Sequence, residues 1–181
     1  MIYDISQELF GSCVYPGDTP PTRIGVKSME NGDAVNLSDI KMCAHNGTHI
    51  DAPLHFIRDG KSIDQLPLDS LIGDAEVINA RNRERILNTG AKRILLKDCE
   101  SLDEELALIL IDKSVKLIGV EGQSVGDARV HRLLLSREIV VLEGIRLRKV
   151  PEGTYILMAA PLNLGGCEGA PCRALLTDGV N

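Results

Sequence analysis

Three of the four histidines of this chain lie in the segment 45–55, and this spacing constrains the local backbone more than any other feature. Gly47 and Pro53 interrupt the segment, and both residue types disfavour a helix interior. In an extended chain residues two apart share a face, so His49 and Asp51 can point toward the same ion. The segment therefore predicts a loop or short strand with converging polar side chains.

The residue types in this segment predict a metal site. Imidazole and carboxylate groups are ligands that zinc and manganese accept. His45, His49 and Asp51 offer three such groups, and Pro53 would redirect the chain so that His55 approaches from another side. No Glu follows the first histidine, which excludes the helical His-Glu-x-x-His zinc motif. Unrelated surface histidines are the simpler alternative for one such residue, but they do not explain this density.

Length and composition agree with a small globular protein. The 181 residues suffice for one domain, 1–181, with a buried core, and 44% hydrophobic content excludes disorder. A formal net charge of −6 without a long basic run disfavours nucleic-acid binding. The longest wholly apolar run, residues 106–111, is too short for a membrane span, and the N-terminal residues do not have a signal-peptide pattern.

The cysteines predict a reduced, cytoplasmic protein, because there are five and none forms a Cys-x-x-Cys pair. Cys43 lies two residues before His45, which raises the alternative of a nucleophile. It is flanked by Met42 and Ala44, where a small buried side chain is expected. We therefore expect Cys43 to be structural.

The hydrophobic pattern predicts a mixed α/β fold with a sheet flanked by helices. Short apolar, β-branched runs predict strands over residues 75–80, 93–96, 116–120, 139–142 and 154–160. Between them, Ser101-x-x-Glu104 is typical of a capping box, and Asp127 is a candidate N-cap of a further helix. The first seventy residues are richer in Pro and Gly and predict irregular strands and loops that carry the metal motif.

The metal motif also carries a family resemblance. His45-x-Gly47-Thr48-His49-x-Asp51-x-Pro53-x-His55-Phe56 resembles, without a mismatch, the signature of the cyclase family of metal-dependent hydrolases, which includes bacterial kynurenine formamidases and isatin hydrolases. Residues 15–18 and 169–173 are similar to the family's opening and closing segments. The resemblance implies the family's swivelling β/β/α domain and a hydrolase that acts on a non-peptide C–N bond.

The resemblance also implies roles for single residues. His45, His49 and Asp51 would hold a first ion, and Asp51 would bridge to a second ion bound by His131 and Glu143. Without the resemblance, the simpler interpretation is that His131 is an ordinary residue at a helix start and Glu143 an ordinary carboxylate at a strand end. His55 would be the proton shuttle, a task that suits a group titrating near neutrality. Zinc is the expected metal and manganese the alternative, with one or two ions per chain.

The substrate implied by the resemblance is a small amide, an N-formyl aryl amine as in an arylformamidase, and the alternative is another cyclic amide or a lactone, as in an isatin hydrolase. With 3% aromatic residues and no Trp, Tyr15 and Phe56 are the candidates for an aromatic substrate wall, and core packing is an equal alternative for Phe56. A non-catalytic metal-binding or ligand-binding protein of the same fold is the other alternative. The resemblance further implies a homodimer or a higher homo-oligomer.

One segment departs from the family pattern Gly-Ile/Val-Asp-x-x-Ser-Ile/Val-Asp. The chain has Glu121 at the position of the first Asp, and Gly126 precedes Asp127 as an additional residue. Since this segment is expected near the second metal position, the departure leaves the substrate and the occupancy of that position open.

Overall fold

The computed structural model describes residues 1–178, and a nine-stranded sheet runs through them. The strands are β1 (Ile2–Asp4), β2 (Thr22–Lys27), β3 (Leu37–Lys41), β4 (His49–Asp51), β5 (Ile72–Asn79), β6 (Arg93–Lys97), β7 (Leu117–Val120), β8 (Val140–Glu143), β9 (Gly153–Met158), β10 (Gly169–Pro171) and β11 (Leu175–Thr177). Nine of these eleven strands form the sheet, and β2 and β3 pair separately. The α-helices are α1 (Leu68–Leu71), α2 (Arg83–Asn88), α3 (Glu104–Asp112) and α4 (Ala128–Leu135). Short 3-10 turns cover Met29–Asn31, Pro53–His55 and Ile63–Gln65.

The centre of the sheet is parallel. Strands β5, β6, β7 and β8 are neighbours in that order, and α2, α3 and α4 connect each to the next. A parallel pair needs such a crossover because a tight hairpin joins only antiparallel strands. The predicted mixed α/β fold is confirmed, and all five predicted strands are present with bounds that differ by at most three residues.

Both faces of the parallel strands are buried, which explains their almost continuous apolar sequences. Side chains alternate along β6, so Leu95 packs in one hydrophobic cluster with Val77 and Leu117. Ile94 and Leu96 point to the other face, where they pack in a second cluster that includes apolar residues of the helices. The sheet therefore separates two cores.

The two longest helices of residues 1–178, α3 and α4, begin at aspartate N-caps. The Asp127 carboxylate accepts from the backbone N–H groups of Arg129 and Val130 at 2.8 and 3.0 Å, so the predicted cap is confirmed. The predicted capping box at Ser101 is wrong, because Asp103 lies directly before α3 and accepts from the Leu106 N–H at 2.7 Å instead. None of the helices within residues 1–178 has the length and apolar character that a membrane span requires.

Antiparallel strands flank the parallel centre. Strand β4 pairs with β8 on one side and with β10 on the other, while β9, β11 and β1 extend the opposite end of the sheet. The three-residue strands β1, β4, β10 and β11 were not predicted individually, because so short a segment has no measurable hydrophobic period. Through β4, the metal motif becomes part of the main sheet.

Because the sheet is buried on both faces, truncating a central side chain should lower the free energy of unfolding strongly. Leu95 is fully buried, so we expect Leu95→Ala to lower the free energy of unfolding by about 3 kcal/mol. Leu87→Ala is the matched control, because Leu87 is 55% exposed and should lose less than about 0.5 kcal/mol. Urea unfolding followed by circular dichroism measures both, and equal losses would contradict the described packing.

Candidate metal centre

The pairing of β4 with β8 builds the first part of the site. His49 lies directly opposite Glu143 in the register, and opposite residues of an antiparallel pair point to the same face. Asp51 shares this face because it is two residues from His49. His49 Nε2 is 3.1 Å from Glu143 Oε2 and 3.5 Å from Asp51 Oδ1. All three side chains are buried.

The turn before β4 adds His45. Gly47 has a φ of 67°, a left-handed conformation that favours glycine and that gives the predicted bend. The bend brings His45 Nδ1 to 2.9 Å from Asp51 Oδ1. Asp51 thus contacts both of the predicted ligand histidines of its own segment.

Helix α4 supplies His131 from the other side of the site. His131 Nε2 is 3.3 Å from Glu143 Oε1 and 3.7 Å from Asp51 Oδ2. Its Nδ1 donates to the Asp127 carbonyl at 2.9 Å, and His49 Nδ1 donates to the Gly47 carbonyl at 3.0 Å. Because a carbonyl only accepts, both rings carry their proton on Nδ1, and both Nε2 atoms face the carboxylates.

His55 and Phe56 complete the group. His55 ends the 3-10 turn that starts at Pro53, and its ring centroid is 4.2 Å from that of His45. The Phe56 ring meets His55 edge-on at 4.6 Å and stacks on His131 at 4.5 Å with an interplanar angle of 23°. The structure therefore brings together all the residues predicted for metal binding and proton transfer.

The donor set fits a divalent ion. Two groups have ligand atoms within 4.8 Å of one another, one formed by His45, Asp51 and His55 and the other by His49, Asp51 and Glu143. Asp51 belongs to both groups. His49 Nε2 and Asp51 Oδ2 are buried and have no hydrogen-bond partner, a state that costs about 1–3 kcal/mol per neutral group and more for a charged one. An ion bound by these atoms would remove this cost.

The electrostatics of the cluster favour a charged Asp51. Burial alone would raise its pKa, but the His45 hydrogen bond and the neighbouring histidines lower the pKa to about 2. Burial lowers the pKa of His45, His49 and His131, but the adjacent carboxylates outweigh it and raise each pKa above its ordinary value. A divalent ion would therefore displace protons from these imidazoles when it binds.

His55 differs from the other histidines in its environment. Burial lowers its pKa, and the neighbouring His45 and His131 add to this effect, while the Asp51 charge opposes it. The net pKa lies below the ordinary value, which favours a neutral ring that can accept a proton.

A cavity of about 310 Å³ opens onto the cluster. Tyr15 and Phe56 both line it, and Phe56 also packs against the helix-side core, as the core-packing alternative predicted. Its lining includes Gln123, which the sequence did not single out.

Glu121 points away from this cavity, because its carboxylate accepts from the Asp98 and Leu147 N–H groups at 2.7 and 2.9 Å. The Glu121 substitution therefore does not place a new carboxylate in the cavity.

Glu168 is a second residue that the sequence did not single out. Its Oε1 lies 3.3 Å from His45 Nε2, on the ring edge opposite Asp51. It directly precedes β10, and its carbonyl accepts from the Ala52 N–H at 2.9 Å. In the sequence, Glu168 lies between Gly166 and Gly169, and its contact with His45 depends on the β4–β10 pairing.

Cys43 is half-buried and does not line this cavity. Burial raises the pKa of its thiol, which disfavours the thiolate that a nucleophile requires. All five cysteines are free thiols. These observations agree with the predicted structural role.

A buried set of imidazoles and carboxylates on two neighbouring strands of a mixed α/β sheet is typical of metal-dependent enzymes. A family model described as "Putative cyclase" matches residues 3–100. The kynurenine formamidase of Bacillus mycoides is 34% identical over 199 residues, covering 96% of this chain and 95% of that protein. The kynurenine formamidase of Salinibacter ruber is 34% identical over 206 residues, covering 98% and 97%. The chain belongs to this cyclase family.

Solved structures agree with the fold. A protein described as a potential metal-dependent hydrolase with cyclase activity superposes with a TM-score of 0.83 at 29% identity, covering 100% of this chain and 99% of that chain. Isatin hydrolase A from Ralstonia solanacearum superposes with a TM-score of 0.85 at 20% identity, covering 98% and 92%. The second similarity concerns the fold alone.

The central position of Asp51 predicts that its charge controls metal binding. We expect Asp51→Asn to lose nearly all bound metal, because the ligand shared by both groups would no longer be an anion. Elemental analysis after exposure to zinc measures this loss. Asp59→Asn, the same change at an exposed position of the following loop, should keep wild-type metal content. Equal metal content in both variants would contradict the description of the centre.

Proposed function

We propose that this protein is a metal-dependent arylformamidase, which converts N-formylkynurenine and water to kynurenine and formate. The observation that carries the proposal is the near full-length similarity to proteins described as kynurenine formamidases, with 34% identity over 96% of the chain. The buried His/Asp/Glu cluster beside a cavity supports it. Amide hydrolysis is the chemistry that such a cluster suits.

In this proposal, His45, His49 and Asp51 hold a first ion, and Asp51, His131 and Glu143 hold a second. The position of Asp51 between the three histidines supports a bridging role. Zinc is the proposed metal and manganese the alternative, because nitrogen and oxygen ligands suit both. A bound ion of this kind polarises a carbonyl and makes water acidic.

His55 moves the proton of the reaction. Water attacks the formyl carbon, and a ring nitrogen of His55 takes a proton from this water. The C–N bond then breaks, and His55 delivers the proton to the leaving aryl amine while formate departs. The lowered pKa of His55 and its place in the cavity lining support this assignment.

Tyr15 and Phe56 form the wall for the aryl group of the substrate. Tyr15 is 50% exposed at the cavity, and Phe56 lies edge-on to His55. An aromatic substrate ring beside Phe56 would lie next to the proton shuttle. Aromatic contacts of this kind contribute about 0.5–1.5 kcal/mol beyond the area that they bury.

Ring opening of a small cyclic amide is the second candidate. The cavity volume of about 310 Å³ favours it, since this is near the lower end of the range for small-molecule sites. The fold similarity to isatin hydrolases is compatible with it. The substrate then is a bicyclic amide rather than an open-chain amino acid.

The deciding experiment is a rate measurement with N-formylkynurenine on protein whose bound metal is counted in the same preparation. Turnover that disappears on chelation and returns with zinc or manganese is the expected result. Metal-bound protein without turnover of N-formylkynurenine but with turnover of isatin would favour the second candidate. Bound metal without turnover of either compound would favour a non-catalytic ligand-binding protein.

Substitution of His55 separates a proton shuttle from a metal ligand. We expect His55→Ala to lower kcat by at least about a hundredfold with unchanged metal content, because proton transfer is lost while all the proposed metal ligands remain. Elemental analysis and steady-state kinetics measure the two quantities. A loss of metal in proportion to activity would instead assign His55 to the ligand group that it forms with His45 and Asp51.

The proposed homodimer is supported by the hairpin of β2 and β3. Within residues 1–178 these strands pair only with each other, and every residue in both is exposed. Ile24 and Ile40 are each 57% exposed and lie on opposite faces, because Ile24 pairs with Asp39 and Ile40 with Arg23. An isolated two-stranded hairpin is marginally stable in water, so a covering surface is needed.

A second copy of the chain is the proposed cover. One face of the hairpin carries Asp39 beside Ile24, and the other carries Arg23 beside Ile40, so each face offers an exposed apolar residue for contact with a second copy. We expect a dimer in light scattering and a monomer for the Ile24→Lys/Ile40→Lys variant. Leu68→Lys, which changes a 67% exposed residue of α1, should remain dimeric. A monomeric wild-type protein would contradict this proposal.

A further inference from the structure

The Gln123 side chain contacts the loop that carries two of the proposed metal ligands. Its Nε2 donates to the Gly47 carbonyl at 2.7 Å and to the His45 carbonyl at 3.1 Å, and it lies 3.4 Å from His49 Nδ1. Gly47 is the bend of this loop, and its carbonyl also accepts from His49 Nδ1. One amide group therefore contacts the backbone on both sides of the bend.

Gln7 fixes the orientation of this amide. The Gln7 Oε1 accepts from the Cys13 N–H at 3.0 Å, so Gln7 Nε2 must point the other way, where it donates to the Gly144 carbonyl at 2.9 Å and to Gln123 Oε1 at 3.1 Å. Because Gln123 uses its oxygen toward Gln7, its NH₂ group faces the loop carbonyls. The hydrogen bonds thus run in one direction from Cys13 to the metal loop.

Gly144 leaves the space in which the two amides meet. A Cβ at this position would lie 2.4 Å from Gln7 Nε2, 2.6 Å from the Gly47 carbonyl oxygen and 3.1 Å from Gln123 Oε1. Its φ of 69° is also a conformation that favours glycine. This glycine directly follows Glu143, so the hydrogen-bond network lies against the backbone of a proposed ligand.

We propose that Gln123 is a positioning residue that holds the His45–His49 loop in its metal-binding geometry, and that Gln7 fixes Gln123 and ties the loop to the segment carrying Tyr15. This inference rests on the metal site of the proposed function. It also gives a role to the segment 121–127, in which Glu121 turns away from the cavity while Gln123 turns toward it.

The physical argument concerns the loop rather than the fold as a whole. Without the Gln123 amide, the His45 carbonyl loses a donor, and the bend at Gly47 keeps only the donor from His49. The loop can then change its conformation, and the imidazoles of His45 and His49 can move apart before a metal binds. Holding a ligand by an outer hydrogen bond typically contributes about 10- to 100-fold in metal affinity.

The test compares Gln123→Leu with Gln65→Leu. Gln65 is a matched control because its side-chain amide also bonds to the backbone, its Oε1 accepting from the Ser62 N–H at 3.1 Å, but in a turn away from the cavity. Zinc affinity is measured by competition with a chelator, and Tm is measured on metal-free protein. We expect Gln123→Leu to weaken zinc binding about 10-fold or more, and Gln65→Leu to leave it within about twofold.

The double variant Gln7→Leu/Gln123→Leu tests the connection between the two amides. If Gln7 acts through Gln123, the double variant binds zinc no more weakly than Gln123→Leu alone. Wild-type affinity for zinc in Gln123→Leu, or equal weakening in Gln65→Leu, would overturn the proposal. Because zinc affinity is measured without substrate, loss of the arylformamidase assignment would leave this result unaffected.

Discussion

The antiparallel pairing of β4 with β8 is the contact on which the site depends. It places a strand from the glycine- and proline-rich N-terminal third beside the last strand of the parallel sheet. The register sets His49 opposite Glu143, and a shift by one residue would turn both His49 and Asp51 to the other face. Helix α4, which connects β7 to β8, then brings His131 to the same place. Two distant parts of the chain form one cluster because they share this strand pair.

This arrangement places charged and polar groups where water cannot reach them. Asp51 is fully buried, and His49 and Glu143 are nearly so. Burying such groups is costly unless each has a partner, and here the carboxylates and imidazoles are partners for one another. Three atoms of the cluster, His45 Nε2, His49 Nε2 and Asp51 Oδ2, are buried without a hydrogen-bond partner. The fold thus carries a local destabilisation that ion binding would relieve, as is common for metal sites in which binding couples to folding.

The sequence predicted the parts of the fold that have a strong local pattern. The central parallel strands were predicted because their apolar, β-branched runs are long enough to recognise, and α4 because Asp127 caps it. The Ser101 capping box was wrong because Asp103 competes for the same helix start. The short strands β1, β10 and β11 and the β2–β3 pairing were missed, since a few residues of mixed character do not distinguish a strand from a loop.

The candidate site also has one part that the sequence predicted and another that it did not. By itself, the sequence determined the residue types and the local geometry of the segment 45–55, because the two-residue period of a strand and the flexibility of glycine are properties of neighbouring residues. Family resemblance, not spacing, connected His131 and Glu143 to that segment. Only the tertiary structure decided that Gln123 and Glu168 contact it. The physical reason is that such contacts follow from strand order and register, which arise from packing of the whole sheet and leave no local pattern in the chain.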